Sequence, residues 1–222
     1  MRVVSLVPSV TETLLAWGVE PVACTRFCEQ PALRHVGGTK DPDIAAVVEL
    51  APDLVVVNDE ENRREDAEAL AAAGLDVHAV VVRTVADVAP ALADLAARLD
   101  VPFEAWTLPA AEPVRKRAFV PIWRRPWMTL SADTYGASLL RLLGIDNVYA
   151  DAVDRYPAVD LADAARRGAD AVLAPTEPYP FSERHHGELS TVAPVTFVDG
   201  QDLFWWGART PAAVERLRAS LA

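Results

Sequence analysis

An internal repeat is the feature that most constrains how this chain can fold. The first half begins with a predicted strand, polar turn, helix and exit loop, in the segments "VVSLV", "PSVTE", "TLLAWG" and "VEPVAC". The second half repeats that order in "AFVPIW", "MTLSADT", "YGASLLRLL" and "GIDNVY". Ser9 or Thr11 is the expected N-cap of the first helix and Gly18 its end, because short polar side chains cap helices and glycine ends them. Two copies of one strand–helix unit are therefore present.

The later part of each copy predicts the type of sheet. "VELAPDLVVVNDE" and "ARRGADAVLAPTEP" both indicate a helix end, a tight turn and an apolar strand that breaks into an acidic loop. Strands that alternate with helices and lack alternating polarity are typical of parallel sheets covered on both faces. The predicted fold class is α/β, with two similar α/β lobes whose parallel sheets face a ligand cleft.

The stretch between the two copies predicts the domain boundary. "VADVAPALADLAARLD" has the pattern of an amphipathic helix, and Pro102, Pro109 and Pro113 then prevent that helix from continuing. The connector between the lobes is therefore expected to be short. The predicted domains are an N-terminal α/β lobe with its connecting helix over 1–99, a Pro-containing linker over 100–116 and a C-terminal α/β lobe over 117–222.

Composition excludes several classes of partner. With 51% hydrophobic residues and a net charge of -11, the chain is expected to be globular and not to bind nucleic acid, which selects basic surfaces. No apolar run approaches the about 18 residues that cross a bilayer, and no export signal is recognised at Met1, so a cytoplasmic protein is expected. Cys24 and Cys28 are too few for a disulfide framework and are interpreted as ordinary thiols.

Catalytic motifs are absent from the sequence. There is no HExxH, no glycine-rich phosphate loop and no glycine-flanked nucleophilic serine. We therefore expect a protein that is not an enzyme, has no catalytic residues and requires no cofactor.

Three segments in register resemble a known family: "RVVSLVPSVTETLLAWG", "GGTKDPDIAAVVELAPDLVVV" and "LLRLLGIDNVY". They are similar to the class III, helical-backbone (TroA-like) solute-binding proteins, which capture vitamin B12, iron-siderophores and haem for ABC importers. The vitamin B12-binding branch looks most similar. The resemblance implies a binding protein that holds a metal chelate between two α/β lobes.

The chain departs from that family at its expected contacts with a permease. The family usually carries one glutamate on each lobe to meet arginines of the membrane permease, whereas Ala45 and Ala162 stand at those positions here. Asp43 and Asp163 lie nearby and substitute for them if the register shifts. The resemblance therefore implies ligand binding, and these two alanines argue against coupling to a permease.

The candidate ligand site is assigned to the loops that follow the predicted strands, where ligands of parallel sheets bind. Aromatic side chains suit a flat, apolar macrocycle, and "PSVTE" offers a helix N-terminus to a ligand. By resemblance, Phe27, Tyr156 and Trp205 fall at pocket aromatics of the cobalamin-binding branch, and Asn58 where that branch often has tryptophan. The candidate ligand-binding residues are Ser9, Glu12, Phe27, Asn58, Trp123, Trp127, Tyr156, Tyr179, Trp205, Trp206 and Arg209.

Alternatives remain at the level of sequence. "SERHHGE" is interpreted as a solvated surface loop, and His185 is the candidate if one histidine serves as an axial or metal ligand, since adjacent histidines point in different directions. The leading function is binding of a corrinoid such as cobalamin, an iron-siderophore or haem. The second is a cytoplasmic interaction protein whose aromatic residues close the cleft. The third is a metal-dependent enzyme using Glu183, His185, His186 and Glu188.

Overall fold

The computed structural model describes all 222 residues and divides into two compact units. The N-terminal unit comprises Met1–Val82, Asp87–Ala105 and Trp206–Ala208. The C-terminal unit comprises Arg83–Ala86, Trp106–Trp205 and Arg209–Ala222. Each unit has its own parallel sheet.

A four-stranded parallel sheet forms the centre of the N-terminal unit. Its strands are β1 (Val3–Ser5), β2 (Ala23–Cys24), β3 (Leu54–Asn58) and β4 (Val77–Val80), in the order β2-β1-β3-β4. The helices that follow these strands are α1 (Pro8–Ala16), α2 (Ile44–Glu49), α3 (Arg64–Ala72) and α4 (Val85–Leu99). Every strand pair is parallel, as helical crossovers require.

The C-terminal unit repeats this arrangement. Its sheet contains β5 (Lys116–Phe119), β7 (Ile145–Asn147), β9 (Ala171–Pro175) and β10 (Val195–Val198). Its helices are α5 (Tyr135–Leu142), α6 (Leu161–Arg166), the short 3-10 turn Glu183–His185 with α7 (His186–Leu189), α8 (Gly200–Phe204) and α9 (Thr210–Leu221). The order β7-β5-β9-β10 matches the order β2-β1-β3-β4, so the two units share one topology. The prediction of an α/β fold with parallel sheets is confirmed.

Central strands supply the core of each unit. All five residues of β3 and all five of β9 are buried, because helices cover both faces of each sheet. In the N-terminal unit Val55 and Val57 pack with Leu70 of α3, and in the C-terminal unit Phe119 packs with Val172. Burying one such side chain contributes about 1.5–3 kcal/mol. This apolar packing holds the loops at the strand ends in place.

Glycine ends the first helix of each unit, as predicted. Gly18 has a φ of 75° and Gly144 a φ of 72°, a backbone conformation that glycine adopts at little cost. After Gly18, the Val19 N–H donates to the Leu14 carbonyl at 2.9 Å, which is the Schellman arrangement at a helix end.

The start of α1 differs from the prediction. Residues of "PSVTE" belong to the helix, which begins at Pro8 with Val7 as N-cap, so the prediction of Ser9 or Thr11 as cap is wrong. Proline suits the first helical position because its missing N–H would have no partner there. The Thr11 hydroxyl instead lies 3.1 Å from the Val7 carbonyl, one turn back.

Two further segments complete the chain trace. Strands β6 (Trp127–Met128) and β8 (Ala158–Val159) form a two-stranded antiparallel ladder that the sequence did not predict. Residues 101–115 contain no helix or strand. None of the helices has both the length and the apolar character needed to cross a membrane.

Candidate functional site

The segments at the carboxyl ends of β5, β9 and β10 carry three of the candidate residues of the C-terminal unit, Trp123, Tyr179 and Trp205. These segments are residues 120–126 and 176–182, which are loops, and 199–205, which consists of α8 and its two caps. Carboxyl ends of neighbouring parallel strands lie at one edge of a sheet, where ligands of α/β proteins bind. This edge is the candidate functional site.

Five ring side chains make contact at this edge, and we call them the aromatic cluster: Trp123, Trp127, Tyr179, Phe181 and His185. Tyr179 has its ring centroid 5.6 Å from Trp123 and 4.7 Å from Phe181, and Phe181 stacks on Trp127 at 5.9 Å. Phe181 is 3% exposed, whereas Trp123 is 45% exposed. The cluster therefore runs from the core to the surface and ends in an accessible indole.

An ion pair flanks the aromatic cluster. Arg124 donates to both carboxylate oxygens of Glu188, at 2.9 and 2.6 Å. These hydrogen bonds hold the pKa of Glu188 below its usual range. A cavity of about 340 Å³ lies beside the pair and is lined by Arg124, Tyr179, Arg184 and His185. Because Glu188 already occupies its guanidinium, Arg124 is a neutralised group and not an open anion clamp.

His185 is buried, so the interpretation of its segment as a solvated loop is wrong at this residue. Its Nδ1 accepts from the Ser182 N–H at 3.1 Å, and its Nε2 lies 3.4 Å from the Tyr179 hydroxyl. Burial lowers the pKa of His185, with the Arg184 and Arg124 charges adding to the effect. No group of three or more His, Cys, Asp or Glu side chains is arranged to hold a metal ion. The suggested metal-ligand role of His185 therefore stays a prediction and has no partner ligands from this chain.

A second set of contacts surrounds Trp205, and we call it the Trp205 network. The Trp205 Nε1–H donates to Glu177 Oε2 at 3.0 Å, and Gln201 lies 3.4 Å from the other carboxylate oxygen. The Arg209 guanidinium lies 5.2 Å from the centroid of the Trp205 ring and donates to Asp202 at 3.4 Å. These contacts fix the orientation of the indole.

Glu177 is the residue of this network that the sequence reasoning missed. Its acidic loop after an apolar strand was noted, but nothing in the local pattern showed that its partner would be Trp205. A Cβ on Gly200 would lie 2.3 Å from the Glu177 nitrogen, so glycine is required where these two loops meet. Gly200 is therefore the sequence feature that reflects this contact, but its meaning can be recognised only once the fold is known.

A profile for the family described as "Periplasmic binding protein" matches residues 3–177 of this chain. The chain belongs to this family. Among curated members, the vitamin B12-binding proteins of Salmonella choleraesuis and Yersinia pestis are 24% and 26% identical to it over 189 and 193 residues. The alignments cover 78% of this chain and 71% and 68% of those proteins. The resemblance stated from the sequence is confirmed.

Solved structures of the same fold agree with the family match. The vitamin B12-binding protein BtuF of Vibrio cholerae has a TM-score of 0.76 and 19% identity, covering 99% of this chain and 96% of its own. The haem-binding protein BhuT, solved with two haems, has a TM-score of 0.78 and 22% identity, covering 100% and 99%. At these identities the likeness establishes the fold.

In the N-terminal unit of this periplasmic binding protein, the candidate residues differ in how deeply they are buried. Phe27 is 49% exposed beneath the Arg26 guanidinium, which lies 4.8 Å from its ring centroid. Asn58 is 2% exposed; its amide donates to the Val80 carbonyl at 2.9 Å and its oxygen accepts two backbone N–H groups of the loop that follows β3. Asn58 therefore shapes that loop, and Phe27 is the accessible side chain.

The remaining candidates lie in different surroundings. Ser9 is 5% exposed and Trp206 6% exposed, so both are packed inside the N-terminal unit, while Glu12 is half-buried on α1. Tyr156 is 37% exposed beside the β6–β8 ladder, with the Arg155 guanidinium 5.6 Å from its ring. Their roles as ligand contacts stay predictions.

The two alanines at the expected docking positions occupy equivalent places in the repeat. Ala45 and Ala162 are the second residues of α2 and α6, and both are exposed. Asp43 caps α2 by accepting from the Ala46 N–H at 3.0 Å. Asp163 accepts from the Tyr149 hydroxyl at 2.9 Å, which with a hydrogen bond from an arginine lowers its pKa. Each nearby aspartate thus already has a structural role.

Proposed function

We propose that this protein binds a metal chelate, with a corrinoid such as cobalamin as the first candidate and haem or an iron-siderophore as the others. The observation that carries the proposal is the match to vitamin B12-binding proteins along 78% of the chain. The description of the family refers to periplasmic proteins, whereas the sequence led us to expect a cytoplasmic one. The compartment stays a prediction, and the binding proposal does not depend on it.

The chemistry of the strand-end loops supports the proposal. A macrocycle presents a large apolar face, and rigid aromatic side chains bury such a face with little loss of conformational entropy. Trp123 and Tyr156 each expose more than a third of their surface, and the Glu177 hydrogen bond orients the indole of Trp205 before any ligand arrives. Preorganised aromatic groups are what a binding protein uses to gain affinity.

We also propose that the protein does not dock on a permease through the two family glutamates. Ala45 and Ala162 offer no carboxylate, and the neighbouring Asp43 and Asp163 are engaged within their own units. Loss of both ion pairs would mainly lower the rate and selectivity of docking. The comparison that tests this is binding of the wild type and of the Ala45→Glu/Ala162→Glu double variant to a detergent-solubilised vitamin B12 permease. We expect faster association by the double variant than by the wild type, and equal association rates for both proteins would overturn this part.

The first experiment is a titration of the purified protein with cyanocobalamin, with hemin and with a ferric siderophore. Tryptophan fluorescence and the visible spectrum of the ligand are followed together. Trp205→Phe is the test variant, because it removes the indole that Glu177 orients. Trp17→Phe is the matched control, since Trp17 lies on the far end of α1 and packs edge-to-face on Phe103 at 5.9 Å.

We expect saturable one-to-one binding of one of these ligands, weakened by Trp205→Phe and unchanged by Trp17→Phe. Absence of binding by all three would sink the metal-chelate proposal. That result would favour the alternative from the sequence, an interaction protein of the same fold without a small-molecule ligand.

A further inference from the structure

A second cavity, of about 510 Å³, lies within the C-terminal unit, and we call it the α5 cavity. Its walls are residues 84–86 at the start of α4, Leu108 and Ala111 of the linker, α5, and β7 with Ala150 beyond it. Eight of its twelve lining residues are apolar, and five of these are alanines, so small side chains leave the space open. Small-molecule sites have volumes of about 300–1,000 Å³. None of the candidate ligand-binding residues given above lines this cavity, so it is a separate site.

Hydrogen bonds join the walls of the α5 cavity to each other. The Val85 N–H donates to the Ser138 hydroxyl at 3.1 Å, which ties the start of α4 to α5. The Glu112 N–H donates to the Leu142 carbonyl at 3.0 Å, which ties the linker to the end of α5. Arg141 Nη1 adds a hydrogen bond to the Glu112 carbonyl at 3.0 Å. The cavity is therefore formed before any ligand binds, as most small-molecule sites are.

Asp146 brings a carboxylate to this apolar cavity. It is the middle residue of β7, and successive side chains of a strand point to opposite faces, so its side chain lies on the face opposite Ile145 and Asn147, which do not line the cavity. The side chain of Asp146 is half-buried and makes no hydrogen bond or salt bridge within the chain. Arg141, the other charged residue of the lining, donates to the Glu112 carbonyl and does not pair with Asp146. A carboxylate that is partly removed from water is stabilised by a cation that hydrogen-bonds to it.

We propose that the α5 cavity binds a small organic amine, whose ammonium group pairs with Asp146 and whose apolar body packs on the alanine and leucine side chains. Charge complementarity selects this class of ligand, because an ammonium donates up to three hydrogen bonds to a carboxylate that has no other partner. The net charge of -11 also attracts a cation at long range, and it repels a carboxylate or phosphate ligand. The proposal is independent of the metal-chelate proposal, because the two sites share no residue.

The first test is a titration of the ¹⁵N-labelled protein with 4-phenylbutylamine, followed by NMR at about pH 7, where an alkylamine is protonated. We expect saturable shifts of the backbone amides of α5 and β7. The neutral isostere 4-phenylbutan-1-ol is expected to bind at least about tenfold more weakly, because it cannot form the charged hydrogen bond to Asp146. Methylamine, which lacks an apolar body, is expected to produce no saturable shift.

The second test compares two variants that remove one negative charge each. Asp146→Asn is the test variant. Asp154→Asn is the matched control, because Asp154 is an exposed aspartate of the same unit that makes no hydrogen bond or salt bridge within the chain and does not line the cavity. We expect Asp146→Asn to bind 4-phenylbutylamine at least about tenfold more weakly than the wild type and to bind the alcohol as the wild type does. Asp154→Asn is expected to bind both compounds as the wild type does.

Three results would overturn the proposal. The first is the absence of saturable shifts with 4-phenylbutylamine, and the second is equal affinity of the wild type for the amine and the alcohol. The third is a shift pattern confined to the aromatic cluster or the Trp205 network, which would place the amine in the other site. If Asp146→Asn does not fold, the comparison of amine and alcohol on the wild type still decides between these outcomes.

Discussion

Glu177 is the single side chain on which the orientation of Trp205 depends most directly. Its carboxylate accepts the indole N–H at 3.0 Å in a half-buried site, and hydrogen bonds to a charged group contribute about 1.5–3 kcal/mol. We expect Glu177→Ala to lower the free energy of unfolding by about 1–3 kcal/mol. Glu177→Gln is expected to lose less, because the amide oxygen still accepts from the indole. Urea denaturation followed by circular dichroism measures both.

The control for this prediction is Glu183→Ala, because Glu183 belongs to the same region of the unit and is exposed. We expect that variant to have the stability of the wild type. If Glu177→Ala were as stable as the control, the hydrogen bond to Trp205 would contribute nothing, and the indole would have to be held by its other contacts.

His185 gives a prediction about pH. Its pKa is lowered in the folded protein by burial first and by Arg184 and Arg124 next, while Glu188 acts in the opposite direction. The unfolded chain therefore binds a proton at this residue at a higher pH than the folded chain, and stability falls as the pH drops below about 6.5. Above that pH the group is neutral in both states and contributes no slope.

The measurement is the free energy of unfolding between about pH 7.5 and about pH 5 for the wild type and for His185→Asn. In the wild type the Ser182 N–H donates to His185 Nδ1 at 3.1 Å. Asparagine places an oxygen near the position of Nδ1, so it can still accept this hydrogen bond. We expect the variant to lose less stability than the wild type over this range. His78, whose pKa burial also lowers, remains in both proteins and cancels in the comparison. A steeper loss in the variant would show that the buried ring is not the group that titrates.

At the scale of elements, helices α1 and α5 both end at a glycine, Gly18 and Gly144, so the effect of the same substitution can be compared at the two sites. Gly18 and Gly144 have nearly the same φ, but a Cβ at Gly18 meets nothing within 4 Å, whereas a Cβ at Gly144 would lie 2.6 Å from the Pro113 carbonyl oxygen. Left-handed backbone costs alanine about 1–2 kcal/mol at either site. Overpacking against Pro113 adds about 1–3 kcal/mol at Gly144.

We therefore expect Gly144→Ala to destabilise the protein clearly more than Gly18→Ala in thermal or urea denaturation. Equal losses would contradict the close packing of Pro113 on this turn. A loss at Gly18 near zero would contradict the left-handed conformation itself.

The same elements show what the sequence determines and what it does not. The glycine helix ends at Gly18 and Gly144 and the strand Leu54–Asn58, with its four apolar residues, were predictable, since glycine preference and apolar patterning act locally. The start of α1 was not, because Pro8 begins a helix as readily as it ends a loop, and the polar residues after it look the same in both cases. The β6–β8 ladder has two residues in each strand, too few to produce an alternating pattern.

The position of the candidate loops was predictable from the sequence, and the contacts within them were not. Aromatic residues after apolar strands marked the loops at the carboxyl ends of the strands, because parallel strands direct those ends to one edge. Pairing of Glu177 with Trp205 joins segments 28 residues apart, and no local pattern encodes such a contact. Asn58 illustrates the same limit, since its polar side chain is used to shape a loop.

At the scale of the whole molecule, charge separates the candidate ligands. The net charge is -11, and the arginines nearest the aromatic residues are already paired: Arg124 with Glu188, and Arg209 with Asp202. At long range the field is set by the net negative charge of the whole chain. An anionic ligand is therefore repelled at long range, and a neutral ligand such as cyanocobalamin is not.

Salt provides the corresponding test, because the screening length falls from about 30 Å at 0.01 M to about 8 Å at 0.15 M ionic strength. We expect the affinity for cyanocobalamin to be the same across this range. A ferric tris-catecholate, which is anionic, is expected to bind weakly and to bind better as salt is added, and a neutral ferric trihydroxamate serves as the control of similar size. Fluorescence titrations at both ionic strengths measure all three. Tighter binding of the tris-catecholate at low salt would mean that Arg124 or Arg209 exchanges its carboxylate partner for the ligand, and the preference for neutral chelates would then be wrong.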